Sequence, residues 1–193
     1  MKKFINILNP DESTTILDVG GTSKNWDLLD YKCKSNIILL NIEDFQQTEW
    51  CSPYKFVKGD GRYLDYLDKS FDIAFSNSVI EHVGNYEDQK RFADEILRVG
   101  KKVWVQTPAK SFFVEPHLIC FFIHHFPPKI QEATIRYFSL WGLITKPSRE
   151  RSKEFLRSIR LLNYREIKAL FPSCKIYKER FIFFTKSYIV VRL

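Results

Sequence analysis

Short apolar runs rich in β-branched residues alternate along the chain with longer polar or amphipathic stretches. The runs fall at residues 15–19, 37–42, 54–58, 71–76 and 102–106. That alternation is the pattern of a parallel sheet with crossover helices. Nearly continuous apolar strands such as NIILLNI predict burial on both faces, with helices on each side. The expected fold class is α/β: a Rossmann-like, doubly wound three-layer sandwich with a mostly parallel seven-stranded sheet. Helices are expected over 86–97, where Phe92, Ile96, Leu97 and Val99 keep a stripe that Gly100 ends. A second is expected over 164–170, with Asn163 as N-cap, Glu166 in the capping-box position and Pro172 beyond the end. Runs at 175–181 and 187–193 read as an antiparallel C-terminal hairpin. Between them and the fifth strand, residues 107–162 are far longer than an ordinary connection. They contain an expected aromatic helix over 130–141 and read as an inserted helical lid within a single domain, 1–193.

Composition narrows the class. The chain has 193 residues, 45% of them apolar, with 17 Phe, 9 Tyr and 4 Trp, enough for one substantial core and unlike a disordered protein. Cys33, Cys51, Cys120 and Cys174 include no C-x-x-C pair, so reduced thiols in a cytoplasmic protein are expected. The first ten residues make a poor signal peptide, and the most apolar window, 118–126, is too short to span a bilayer. The net charge of +7 is uneven: residues 1–144 carry −2 and residues 145–193 carry +9. The basic stretch 146–160 suits a phosphate or an anionic surface, although Glu150 and Glu154 interleave with its cations as on a solvated helix.

Candidate chemistry gathers at strand ends. The first strand runs into Asp18-x-Gly20-Gly21, where glycine permits close approach of backbone to a ligand. The next strands end in Asn41-Ile42-Glu43, in Gly59-Asp60-Gly61 and in Asn77-Ser78-Val79-Ile80-Glu81-His82. Ligands of open α/β sheets bind along that edge.

These segments together resemble a class I S-adenosylmethionine-dependent methyltransferase, in particular the small type 11 kind. ILDVGG resembles motif I, KGDGRYL the loop after strand three, and SFDIAFSNSVIEHV with ILRVGKKVWVQTP motifs IV to VI. The stretches QTPxxxFxxEPH, LFP and ERFxxxTKS are similar to a small subgroup of that family. The resemblance implies S-adenosyl-L-methionine as cofactor and S-adenosyl-L-homocysteine as product. It implies that Asp18, Gly20 and Gly21 line the methionine end, that Glu43 or Asn41 binds the ribose hydroxyls, that Asp60 holds the adenine amino group beside Gly61, and that Asn77 meets the amino-acid moiety. Thr22 stands where the family has a further glycine, which keeps a non-catalytic, cofactor-binding regulatory subunit as an alternative.

A sulfonium methyl is already electrophilic, so the protein must position the acceptor and remove a proton. His82, Glu115 and His117 are the candidates, histidine having a near-neutral pKa; His82 also suits a local packing role at a helix start. Glu115, His117, His124 and His125 lack standard zinc spacing, and no metal is expected. The expected acceptor is a small molecule or glycan-like compound methylated on oxygen or nitrogen and selected by residues 107–162. A nucleic-acid acceptor is disfavoured because Asn77-Ser78-Val79-Ile80 lacks the proline-aromatic pair that grips a flipped base. Peripheral membrane contact through 118–126 is a further variant.

Overall fold

The computed structural model describes residues 1–27, 36–43, 53–115, 118 and 120–193. Cys33, Cys51 and the candidate His117 lie outside them. Five parallel strands, β1 (Ile16–Val19), β2 (Ile37–Asn41), β3 (Lys55–Lys58), β4 (Phe71–Asn77) and β5 (Gly100–Pro108), join a hairpin at the C-terminus. Two short strands, β6 (Val114–Glu115) and β7 (Cys120–Phe121), form a separate ribbon. The hairpin strands are β8 (Lys175–Phe181) and β9 (Phe184–Arg192). The seven-stranded order is β3-β2-β1-β4-β5-β9-β8, with β9 antiparallel to β5. The order reverses between β1 and β4, which opens a crevice at their carboxyl ends.

Alternate side chains of each strand feed two cores. On one face Leu17, Val19, Ala74, Val103 and Val105 pack against α3 (Tyr86–Val99) and α7 (Tyr164–Leu170). Both helices start with the reciprocal bonds of a capping box: Asn85 with Asp88, and Asn163 with Glu166. Phe92, Ala93, Ile96 and Val99 form the buried stripe of α3, and Gly100 passes directly into β5. On the other face Ile16, Ile73, Phe75 and Trp104 meet α1 (Lys2–Leu8) through Phe4 and Leu8, and α2 (Ser23–Asp27) through Trp26. Phe4 makes edge contacts with Trp26, Phe75 and Trp104 at ring separations of 5.0–5.8 Å. Helix α1 has no counterpart in the sequence reading: Asn6, Asn9 and Pro10 hide a seven-residue amphipathic turn that tertiary packing stabilises.

The segment after β5 leaves and returns at one point. Ala109 and Leu162 form a parallel bridge, and the Lys110 N–H donates to the Leu162 carbonyl at 3.1 Å. Between them lie the β6–β7 ribbon, α4 (Pro128–Phe138), α5 (Leu140–Thr145) and α6 (Arg149–Arg157). They share a small core of Leu118, Cys120, Ile123 and Ile135, over which Trp141 stacks on Phe155 at 4.5 Å. The expected helix over 130–141 is two helices, because the Ser139 hydroxyl accepts from the Gly142 N–H and starts a new one. Strand β9 begins at Phe184, three residues earlier than its apolar pattern suggests.

Candidate cofactor pocket and the loop after β4

A cavity of about 520 Å³ opens at the carboxyl ends of β1 to β4. Val19, Leu40, Val79 and Phe92 give it an apolar floor, while Asn41, Glu43, Asp60, Ser78 and His82 supply polar groups at its edge. That combination suits a ligand with a flat ring and several hydroxyl and amino groups.

The turn after β1 is shaped by two glycines. Gly20 has φ +80, and its N–H donates to the Leu40 carbonyl at 2.7 Å; a Cβ there would stand 2.5 Å from a Val79 methyl. Gly21 sits on the Asp18 carboxyl, and a Cβ would reach 2.0 Å from Oδ2. Asp18 therefore lies beneath the turn and outside the pocket lining. It is 1% exposed. Its Oδ2 accepts from the Trp26 indole N–H at 2.7 Å, and among the described residues its Oδ1 has no partner. Burial pushes its pKa up to about 7, against the pull of the Trp26 hydrogen bond.

At the end of β2 the Asn41 amide donates to the Gly21 carbonyl at 3.4 Å and its Oδ1 accepts from the Glu43 N–H at 3.3 Å. Asn41 thus ties the first two loops together, and Glu43 stands exposed at the edge. After β3, Asp60 is gripped by Arg62: Nε lies 3.0 Å from both carboxylate oxygens and Nη2 2.6 Å from Oδ2. Those side-chain bonds hold the Asp60 pKa below the usual carboxylate range. Arg62 is anchored in turn by Asp88 at 3.3 Å. Gly61 allows the loop to settle on the core, since a Cβ would stand 2.6 Å from both Val19 and Phe92. Arg62 escaped the sequence reading, although a cation two residues after an acid in a glycine turn was its signal.

Asn77 ends β4 opposite Gln106 and does not line the cavity. Ser78 takes a left-handed φ of 58 with its N–H on the Gln106 carbonyl at 2.8 Å. A 3-10 turn, Ile80–His82, follows. Within it Glu81 is buried and accepts from the Thr107 hydroxyl at 2.9 Å, while His82 is exposed at the cavity edge. The return of the insertion is bonded to this turn: the Arg160 N–H donates to the Glu81 carbonyl at 2.7 Å, and its guanidinium binds Gln89 and Glu166. Gln89 reciprocates by donating to the Ile80 and Arg160 carbonyls. Glu115 lies in β6 opposite Cys120. A second cavity of about 180 Å³ lies between the insertion and this return, lined by Leu118, Ile123, Leu156 and Leu161 with Lys110 and Arg160.

Residues 17–103 match the family model described as a methyltransferase domain. Curated proteins yield no match in sequence. Among solved structures, the PH0226 protein from Pyrococcus horikoshii superposes with a TM-score of 0.61 at 17% identity, over 98% of this chain and 85% of that one. A SAM-dependent methyltransferase from Methanosarcina mazei gives 0.54 at 16% identity, over 94% and 92%. The methyltransferase domain of bacterial CtHen1-CN gives 0.58 at 14% identity, over 98% and 95%. At these identities the likeness is one of fold.

Proposed function

We propose that the chain, whose residues 17–103 match a methyltransferase domain, is a class I, S-adenosylmethionine-dependent methyltransferase that acts on an oxygen or nitrogen of a small-molecule or glycan-like acceptor. The carrying observation is the 520 Å³ cavity at the switch point, with an apolar floor, acidic groups on two loops and a histidine at its edge. The cofactor supplies an electrophilic methyl group when bound. Glu43 or Asn41 takes the ribose hydroxyls, and Asp60, held by Arg62, accepts from the adenine amino group with its remaining lone pairs. Gly20 and Gly21 let the backbone approach the methionine end, with Asp18 as the support beneath them and Asn77 beside them. His82 receives the acceptor's proton, and Glu115 and His117 act on the acceptor side.

Acceptor choice falls to residues 107–162, whose small cavity joins apolar walls to the cations Lys110 and Arg160. The basic last quarter of the chain favours, as a second reading, an RNA acceptor. The test is transfer of a tritiated methyl group from S-adenosylmethionine into fractionated small molecules, glycans and RNA. Label in a small molecule or glycan, abolished by His82→Gln with cofactor affinity intact, supports the proposal. Salt-sensitive label in RNA replaces it with the second reading, and cofactor binding without any transfer points to a regulatory subunit.

A further inference from the structure

The hairpin joining β8 to β9 turns through Ile182 and Phe183, with Phe181 paired to Phe184. Ile182 has φ 55, the left-handed backbone for which hairpin turns ordinarily use Asn or Gly and in which a β-branched residue is strained. The fold gains no packing in return: Ile182 is 70% and Phe183 89% exposed. A second bulky residue in the same conformation, Phe122 at φ 56, is 53% exposed. The two tips belong to one surface. The Phe113 ring lies 4.9 Å from Phe184, 5.9 Å from Phe121 and 6.2 Å from Phe122, and Phe112 meets Phe181 at 6.3 Å. Exposed Phe126 continues it toward α4. An apolar face of this kind marks an interaction site.

Its surroundings identify the occupant. Lys110, Lys129, Arg180 and Lys186 are all exposed near it, and the Ala109 N–H on the Lys186 carbonyl at 3.0 Å brings two of them together. Among the described side chains of 109–114, 118, 120–130 and 178–187, the one carboxylate is Glu179, which accepts from the Ser187 hydroxyl. We propose that this face docks on an anionic phospholipid bilayer, with Phe121, Phe122, Ile182 and Phe183 in the boundary between headgroups and acyl chains and the cations over lipid phosphates. A second copy of the chain would set the same cations against each other. Because β9 is antiparallel to β5, with Ser187 opposite Pro108, the tip projects from the sheet edge that carries the cofactor cavity. The inference rests on the surface alone and stands apart from the proposed acceptor.

The test uses the full chain, sedimented with vesicles of phosphatidylcholine alone or containing about 30% phosphatidylglycerol, and the double variant Ile182→Asn/Phe183→Gly. Asn accommodates the left-handed backbone at 182 that strains Ile, and Gly is tolerated at 183, so the variant is expected to keep its Tm and its affinity for S-adenosylmethionine. Wild-type chain is expected to bind the anionic vesicles about tenfold better than the neutral ones, to lose that advantage as salt rises, and to bind about tenfold better than the variant. Absence of wild-type binding to anionic vesicles at low salt overturns the proposal, as does equal binding by the variant. Sedimentation velocity showing a wild-type dimer that the variant dissolves would assign the face to a second copy and overturn it likewise.

Discussion

Replacing Asp18 by asparagine removes a charge that its surroundings oppose. The carboxyl is sealed between Gly21 and the Trp26 indole, and burial pushes its pKa up to about 7, against about 3.9 in an unfolded chain. Through that window the native state binds more protons than the unfolded chain. Stability therefore falls as pH rises from about 4 to about 7 and stays reduced above. The full gap of roughly three pH units corresponds to about 4 kcal/mol, of which about 3 kcal/mol is lost between about pH 5 and about pH 8.5. The amide of the Asp18→Asn variant is neutral throughout and keeps an oxygen for the Trp26 N–H. Urea unfolding of both proteins, followed by tryptophan fluorescence across that range, cancels every other titrating group in the difference. The variant should gain on wild type steadily with pH, by about 3 kcal/mol in all, and the gain should level off above about pH 7. Two stability curves that run parallel across the range would refute the reasoning.

Three further outcomes follow from the pocket. Gly20→Ala places a Cβ at φ +80 against Val79, which should cost about 2 kcal/mol in thermal unfolding and weaken cofactor binding in calorimetry. Arg62→Ala releases Asp60; cofactor affinity should fall about tenfold at neutral pH, and because Arg62 depresses the Asp60 pKa, the acid limb of the binding profile should move to higher pH. Arg160→Ala removes the guanidinium bonds to Gln89 and Glu166 and leaves the backbone bonds of residue 160 in place; an equilibrium dialysis constant for S-adenosylmethionine should stay within about twofold while methyl transfer drops about tenfold or more.

The parallel strands were legible because each carries a short apolar run, largely buried in β1, β2 and β4 and half-buried in the edge strand β3, and α3 and α7 because side-chain caps mark their starts. Helix α1 was not, since seven residues hold a helix only through Phe4 and Leu8 in the core. The C-terminal hairpin was placed with its turn too late, because Ile182 and Phe183 break the rule that turns carry Asn or Gly. At the pocket, Gly20, Asn41, Glu43, Asp60 and Gly61 come together as the strand ends suggested. Asp18 and Gly21 pack on each other, and the grip of Arg62 on Asp60 depends on a side-chain conformation that residue spacing does not encode.

Calorimetric titration of wild type, Glu43→Ala and Asp60→Ala with S-adenosylmethionine and S-adenosylhomocysteine tests the cofactor site directly. Micromolar binding of both ligands by wild type, lost in each variant, is the predicted result. Folded wild-type protein that binds neither ligand would contradict the account.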